Sequence, residues 1–193
     1  MKKALFIVLL GVMHLHLVAQ KDEISVTYSP LSLYRLEKWV EGTGNDQHNY
    51  KVLGAFNLNY YRYINSWLKL GVNVMYDYAS VEGSGSPYYY TPYSVSSLAN
   101  LTYKSSKHAF VVAPQIDFEY LNHPKFKLSS GMSLGYANEN FTTTGGINTN
   151  VDIDGVTVHF NFVSFRWGQK HGLCGSLGAG YKGILNVGYF VRF

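Results

Sequence analysis

The sequence contains a single cysteine and no cluster of basic residues. Cys174 is the one cysteine among 193 residues, and the cationic residues behind the net charge of +4 are scattered singly. One thiol excludes an internal disulfide, so we expect Cys174 to be a small apolar packing group. Scattered cations exclude the basic stripe or patch of a nucleic-acid-binding protein, so no nucleic-acid partner is expected.

Long apolar runs are also missing, except at the start of the chain. Residues 1–19 begin with two lysines close to the first residue, continue with an apolar run and end in Ala19. This layout is typical of a secretory signal peptide, for which we expect cleavage after Ala19. An N-terminal membrane anchor is the alternative, but the run is short for a bilayer span and two histidines interrupt it. Residues 20–193 are then predicted to form one domain.

The rest of the chain shows strict alternation of apolar and polar residues. The composition is 47% hydrophobic, with 17 Tyr, 11 Phe and 19 Gly. Residues 67–79, WLKLGVNVMYDYA, carry leucine, valine or tyrosine at every second position and Lys69, Asn73 and Asp77 between them. Successive side chains of a strand point to opposite faces, so one face is apolar and the other is mixed. The run exceeds the usual strand of about five or six residues and suits a tilted membrane crossing.

The same alternation recurs along the chain and predicts eight strands. They cover 23–29 running on toward Tyr34, 51–61, 67–79, 110–120, 126–136, 155–167, 173–181 and 184–193. Short links alternate with long ones, and long outer loops are predicted at about 37–50, 80–108 and 138–154. Short turns at one end and long loops at the other are typical of outer-membrane barrels. We therefore predict an all-β fold, an eight-stranded antiparallel up-and-down transmembrane β-barrel.

Two segments fit this scheme less simply. SVSSLANLTY, residues 94–103, could form a ninth strand, but single-chain bacterial barrels have even strand counts. We therefore expect 80–108 to be one outer loop, with a helical turn or a hairpin above the membrane. Pro114 lies inside a predicted strand, and because proline cannot donate to a strand ladder we expect a β-bulge there.

Charged residues on the polar faces are predicted to meet inside the barrel. The interior of an eight-stranded barrel is just wide enough for side chains, so an open pore is not expected. Buried charges must be paired, which predicts a salt-bridge network near the periplasmic end, with Glu119 between two lysines. Its predicted members are Glu23, Lys69, Asp117, Glu119, Lys127, Arg166 and Arg192. A proton or ion path through these groups is the alternative.

The sequence ends in a strand that carries a recognisable pattern. Asn186, Gly188, Val191 and Phe193 match the order polar, x, Gly, x, x, hydrophobic, x, aromatic. This pattern resembles the β-signal read by the barrel-assembly machinery of Gram-negative bacteria, with Val191 the weaker fit because that place is often aromatic. The segments LGAGYKGILNVGYFVRF and VAPQIDFEYLNHPKFKLSSGMSLGY are similar to small outer-membrane β-barrel domain proteins of the porin-like superfamily, and the likeness spans most of 22–193. It implies a cell outer-membrane location, contact with outer-membrane lipid, and the assembly machinery as a partner.

No pattern in the sequence predicts catalysis. We find no grouping of serine, histidine and acid, no metal-ligand spacing and no glycine-rich phosphate loop. We therefore expect no enzyme activity, no catalytic residue, no cofactor and no metal site. His159 is expected to be a hydrogen-bonding residue of the lumen.

A tyrosine-rich loop is the candidate for outward contact. Its side chains Tyr88, Tyr89, Tyr90 and Tyr93 offer large amphipathic area at low entropic cost, which suits an extracellular protein or glycan. An aromatic girdle or packing of the loop on itself is the alternative. We predict a monomer with a structural or surface-interaction role. A narrow channel or small-ligand transport barrel is the alternative, followed by a lipid-modifying outer-membrane enzyme.

Overall fold

The computed structural model describes residues 22–32, 49–84, 102–145 and 148–193, and every regular element in these ranges is a strand. The strands are β1 (Asp22–Ser29), β2 (Asn49–Val52), β3 (Ala55–Tyr63), β4 (Leu68–Ser84), β5 (Thr102–His123), β6 (Phe126–Thr144), β7 (Thr149–Gly168), β8 (His171–Gly180) and β9 (Leu185–Arg192). Within the described ranges there is no helix long and apolar enough to cross a membrane. The predicted signal peptide lies outside the described residues.

The strands β2 and β3 are two parts of one barrel strand. Both pair antiparallel with β4, and their registers differ by one residue across Leu53 and Gly54. Gly54 has φ of 91°, a left-handed conformation that glycine adopts without steric cost. The barrel therefore has eight strands, as predicted.

The sheet closes on itself through neighbours in sequence. The order around the barrel is β4-β3-β1-β9-β8-β7-β6-β5, all pairings are antiparallel, and β4 pairs with β5 to complete the ring. The first and last strands meet, with Asp22 and Phe193 exchanging two backbone hydrogen bonds of 2.9 Å. The predicted closed up-and-down barrel is confirmed.

The exterior of the barrel is apolar and its interior is polar. On β4 the side chains of Leu70, Val72 and Tyr76 point out and are exposed, while Lys69 and Asn73 point in and have no solvent exposure. The same arrangement runs around the ring, where exposed Leu, Val, Phe and Tyr side chains form a continuous belt. Such a belt around a polar interior is the reverse of a soluble barrel, and the environment that it fits is a lipid bilayer.

The two ends of the barrel differ in their connections. Residues 64–67, 124–125 and 169–170 are tight turns, and they share one end with Asp22 and Phe193. At the other end β4, β5, β6 and β7 continue beyond the turn at 181–184 that joins β8 to β9. In a bacterial barrel the short turns mark the periplasmic end.

The prediction of a long loop at 138–154 is wrong. The strands β6 and β7 stay paired from Asn138↔Asp154 to Thr143↔Thr149 and are joined by a short connection. Pairing persists because side chains bridge the strands: Asn138 donates to Asp154 at 2.7 Å, and Asn140 donates to Asp152 at 2.6 Å. The outer face is polar here, so hydrophobic alternation fades although the strands continue.

The ends of the other two predicted loops are parts of strands in the structure. Residues 80–84 and 102–108 lie in paired parts of β4 and β5, and residues 49–50 lie in β2. The remainder of these loops, 37–48 and 85–101, lies outside the described residues. The sequence predicted that the strands end at the edge of the apolar belt. In the structure, backbone pairing extends the strands beyond that edge.

The prediction of a β-bulge at Pro114 is also wrong. Pro114 stands opposite Val72 of β4 in an unbroken register, and the β5–β6 register is the same on both sides of it. At this point two pairings of β5 with β6 are absent, those of Ala113 and Pro114, since proline has no N–H to donate. The irregularity in β5 lies instead between Glu119 and Leu121.

Candidate functional site

The lumen near the end with the short turns holds a continuous chain of alternating charges. It contains three carboxylates and four cations, and it brings together all seven residues predicted from the sequence. In order of contact the chain runs Arg192, Glu23, Arg166, Asp117, Lys69, Glu119, Lys127. Each carboxylate therefore has a cation on both sides, which is the arrangement that buried charges require.

The distances show which links of this charge chain are close. Lys69 Nζ lies 3.2 Å from Asp117 Oδ2 and 3.6 Å from Glu119 Oε1. Glu119 Oε2 is 3.2 Å from Lys127 Nζ, so Glu119 does lie between two lysines. Arg192 Nε donates to Glu23 at 2.7 Å, Arg166 contacts the other oxygen of Glu23, and the Arg166–Asp117 contact is the long link.

Two tyrosines that the sequence reasoning missed complete the charge chain. The Tyr63 hydroxyl lies 3.1 Å from Glu23 Oε2 and 3.0 Å from Glu119 Oε1, so it connects two carboxylates. The Tyr61 ring lies under Lys69 Nζ at 4.6 Å and near the Arg166 guanidinium at 5.1 Å. An aromatic face attracts a cation and excludes water. The signal was present in the sequence, because alternation from Asn59 places Tyr61 and Tyr63 on the inner face.

Gly131 makes room for one carboxylate of the charge chain. A Cβ at Gly131 would lie 2.0 Å from Asp117 Oδ1 and 2.5 Å from the backbone oxygen of Ile116. No side chain larger than hydrogen fits there without displacing Asp117. The small residue on β6 therefore fixes the place of the carboxylate on β5.

Above the charge chain lies a layer of amide side chains centred on Asn59. Asn73 donates to Asn59 Oδ1 at 2.9 Å, and Lys182 Nζ approaches the same oxygen at 3.3 Å. Lys182 also donates to Gln115 Oε1 at 2.7 Å. Asn57 extends the layer by donating to Asn186 Oδ1 at 3.2 Å.

An apolar cluster lies next along the barrel axis. It consists of Ala55, Met75, Val111, Ala113, Ala137 and Tyr181, all buried. The Tyr181 hydroxyl bonds with Ser133 at 3.0 Å, and its ring meets His159 edge-on at 5.6 Å. His159 is buried and contacts Asn161 at 3.0 Å, which is the hydrogen-bonding place expected for it. The lumen is thus packed in three layers: charges, amides and apolar groups.

Comparisons with known proteins find similarity in structure and none in sequence. No family model matches the chain, and no curated protein matches it. The N-terminal β-barrel domain of OprF from Pseudomonas aeruginosa is similar with a TM-score of 0.47 and 11% identity, covering 90% of this chain and 97% of that one. Ail, the attachment invasion locus protein of Yersinia pestis, is similar with a TM-score of 0.41 and 13% identity over the same shares. The closed ring of eight strands and its apolar outer belt show that the chain forms an eight-stranded transmembrane barrel.

Beyond the rim of this barrel, β4 to β7 continue as a sheet that we call the upper sheet, residues 79–84, 102–109, 137–144 and 149–157. Its outer face is polar, with the Asn and Asp bridges described above. Glu82 and Lys104 pair there at 2.9 Å, and this contact lowers the pKa of the Glu82 carboxyl from its ordinary value. On the inner face Lys107 Nζ lies 4.4 Å from the centre of the Phe141 ring.

The edge of the upper sheet is β7. β8 begins to pair with it only at His159↔Gly180, so no described strand pairs with residues 149–157 on that side. Val151, Ile153 and Val156 are exposed, and Val156 is 75% exposed. Edge strands offer unpaired backbone donors and acceptors to any extended chain that approaches.

Three residues of the predicted assembly signal lie on the closing strand β9, and the fourth, Phe193, follows it directly. Asn186 is buried in the lumen, while Val191 and Phe193 are exposed on the outer face. A Cβ at Gly188 would lie 2.0 Å from the backbone oxygen of Val26, so glycine lets β9 approach β1 closely. The tyrosines Tyr88, Tyr89, Tyr90 and Tyr93 lie outside the described residues.

Proposed function

We propose that the protein resides in the outer membrane of a Gram-negative cell, as a monomer that presents its upper sheet to an extracellular protein. The apolar belt supports membrane insertion. The short turns and both ends of the described barrel lie at one end, which supports a periplasmic position for that end. A role for residues 186–193 in recognition by the assembly machinery belongs to the same proposal.

The observation that carries the surface role is the unpaired edge of β7. Asp152, Asp154 and Val156 turn their backbone groups to the open side, as Val158 does when its carbonyl oxygen accepts from Tyr181 N at 3.4 Å. An extended segment of another protein can add to such an edge through main-chain hydrogen bonds, with side-chain contacts giving selectivity. The exposed Val151 and Ile153 offer that segment an apolar contact.

The packed lumen gives less support to the alternative of a narrow channel. Ion pairs, amides and an apolar cluster follow one another along the axis, and a permeating solute would have to break the charge chain. Separation of buried ion pairs is costly in a low-dielectric interior. The lumen is therefore proposed to be a rigid support for the sheet above it.

Location is tested by gel mobility with and without boiling, combined with protease treatment of intact cells. A folded outer-membrane barrel is expected to migrate differently before boiling, and cleavage is expected beyond the rim and not within the belt. A protein found soluble in the periplasm, with no shift on boiling, would overturn the location.

The surface role is tested with a phage-displayed library of ten-residue peptides selected on the purified protein in lipid nanodiscs. Peptides with alternating apolar residues are expected to be enriched. Val156→Pro removes one outward N–H and should abolish their binding, while Val156→Ala keeps that N–H and should retain it. Failure to enrich any peptide, or equal binding to both variants, would contradict strand addition at β7.

A further inference from the structure

The barrel lumen contains a small cavity between the charge chain and the amide layer. Its volume is about 30 Å³, enough for one or two atoms of the size of a water oxygen. Residues from β1, β3, β7, β8 and β9 line it, together with Lys182 from the turn between β8 and β9. The cavity lies on the opposite side of the lumen from Asp117 and Glu119, which belong to β5.

The wall of the cavity is rich in hydrogen-bond donors and has no carboxylate. Lys182 and Arg166 contribute two cations, and the amides and hydroxyls include Asn186, Ser25 and Ser164. Neither aspartate nor glutamate is among the lining residues. Arg166 is paired with Glu23 in the charge chain, so the positive charge that is not paired at this wall is that of Lys182.

Lys182 is the cation that the charge chain leaves out. It is only 4% exposed, and its described partners are two neutral amide oxygens, those of Gln115 and Asn59. No carboxylate of the described residues lies within ion-pairing distance of its ammonium group. An ammonium group has three N–H donors, so one of them remains for a further acceptor. Burial of a cation without a counter-charge is costly, and amide oxygens compensate only in part.

Asn186 supplies a second, independent sign of a missing acceptor. Its oxygen accepts from Asn57, but its amide nitrogen is fully buried and has no hydrogen-bond partner among the described residues. Buried polar groups are nearly always hydrogen-bonded, so a single unpartnered donor calls for an explanation. Both this nitrogen and the ammonium of Lys182 belong to residues that line the same cavity.

We propose that the cavity binds one monovalent anion of halide size, held by Lys182 and Asn186. An anion accepts from both donors and also neutralises the unpaired charge of Lys182. A water molecule could accept the hydrogen bonds but would bring no negative charge to Lys182. The charge chain lies on one side of this site along the barrel axis and the apolar cluster lies on the other, so the site exists only in the folded barrel.

The test compares the purified protein after refolding in detergent with sodium chloride, sodium bromide or sodium gluconate at equal ionic strength. Gluconate is too large for the cavity and serves as the reference anion. Ligands that bind only the native state raise its stability, so we expect the melting temperature to be about 3 °C higher in chloride or bromide. Crystals grown from sodium bromide should show an anomalous bromine peak between Lys182 and Asn186.

Two variants separate this site from a general effect of salt on the lumen. Lys182→Gln removes the cavity cation and should abolish both the halide-dependent shift and the bromine peak. Lys127→Gln also removes one lumen cation, but Lys127 does not line the cavity, so the halide dependence should remain. Equal melting in chloride and gluconate, or a bromide crystal with no peak in the cavity, would overturn the proposal and assign the space to water.

Discussion

At the scale of single residues, the charge chain concentrates its contacts on a few carboxylates. Glu119 is a clear case, since two ammonium groups and the Tyr63 hydroxyl lie within 3.6 Å of its oxygens. Its carboxylate has no solvent exposure, so these contacts replace hydration completely. Loss of the negative charge leaves two lysines without their shared partner.

We predict that Glu119→Gln lowers the free energy of unfolding by about 3 kcal/mol, because it removes one partner of a buried ion pair. Chemical denaturation in detergent, followed by tryptophan fluorescence, measures the change. Glu82→Gln is the matched control, since Glu82 also pairs with a lysine but both side chains are well exposed. A Glu119 variant as stable as the Glu82 variant would show that the charge chain does not stabilise the barrel.

Gly131 tests the packing around the same chain. Gly131→Ala should destabilise the barrel by about 2 kcal/mol, since the new methyl group must displace Asp117 or the neighbouring backbone. Gly155→Ala is the control, because a Cβ at Gly155 meets nothing within 4 Å. The same denaturation experiment serves, and equal stabilities of the two variants would contradict the close approach of Asp117 to β6.

At the scale of elements, β7 changes character along its length. From His159 to Gly168 it has neighbours on both sides, while from Thr149 to Thr157 its described pairing is to β6 alone. We expect hydrogen–deuterium exchange to alternate along 150–156, with amides of even-numbered residues exchanging fast and those of odd-numbered residues protected. Uniform protection would mean that another segment covers this edge.

Sequence alternation located the strands within the belt but misplaced their upper ends. The pattern needs an apolar face, and above the rim the outer face carries Asn138, Asn140, Asp152 and Asp154 instead. What holds β6 to β7 there is cross-strand hydrogen bonding between specific partners, which depends on register. The outcome at Pro114 also depends on strand pairing, because the effect of proline on a sheet is set by which neighbouring strand its nitrogen faces.

At the scale of the whole molecule, Phe193 lies where the barrel closes. Phe193 pairs with Asp22 through its backbone, and its ring is 66% exposed on the outer face. If the ring acts mainly as an assembly signal, Phe193→Ala should lower the amount of inserted barrel several-fold in cells while it changes unfolding of the refolded protein little. Phe162→Ala, at 62% exposure on β7, is the control and should insert normally.

Immunoblots of outer-membrane fractions, with heated and unheated samples, measure this insertion. Equal amounts of inserted barrel for the two variants would contradict an assembly role for Phe193. A Phe193 variant that inserts normally but unfolds more easily would assign the ring a purely structural role.

The sequence by itself determined the class of the fold and the sides of each strand. Alternation with a period of two, carried by residues such as Lys69 and Leu70, fixes which side chains enter the lumen, because adjacent side chains of a strand must point to opposite faces. Burial of any one charge alone is costly, so the inward-facing charges were expected to pair with one another, and all seven predicted residues meet.

The tertiary structure alone decided what depends on register and on turns. Lys182 lies in a turn, where alternation does not set the direction of a side chain, and its place beside Asn59 and Gln115 follows from barrel closure. The cavity, the edge of β7 and the link through Tyr63 likewise depend on how far each strand is shifted against the next. Register is a property of pairs of strands, and a single strand's sequence does not contain it.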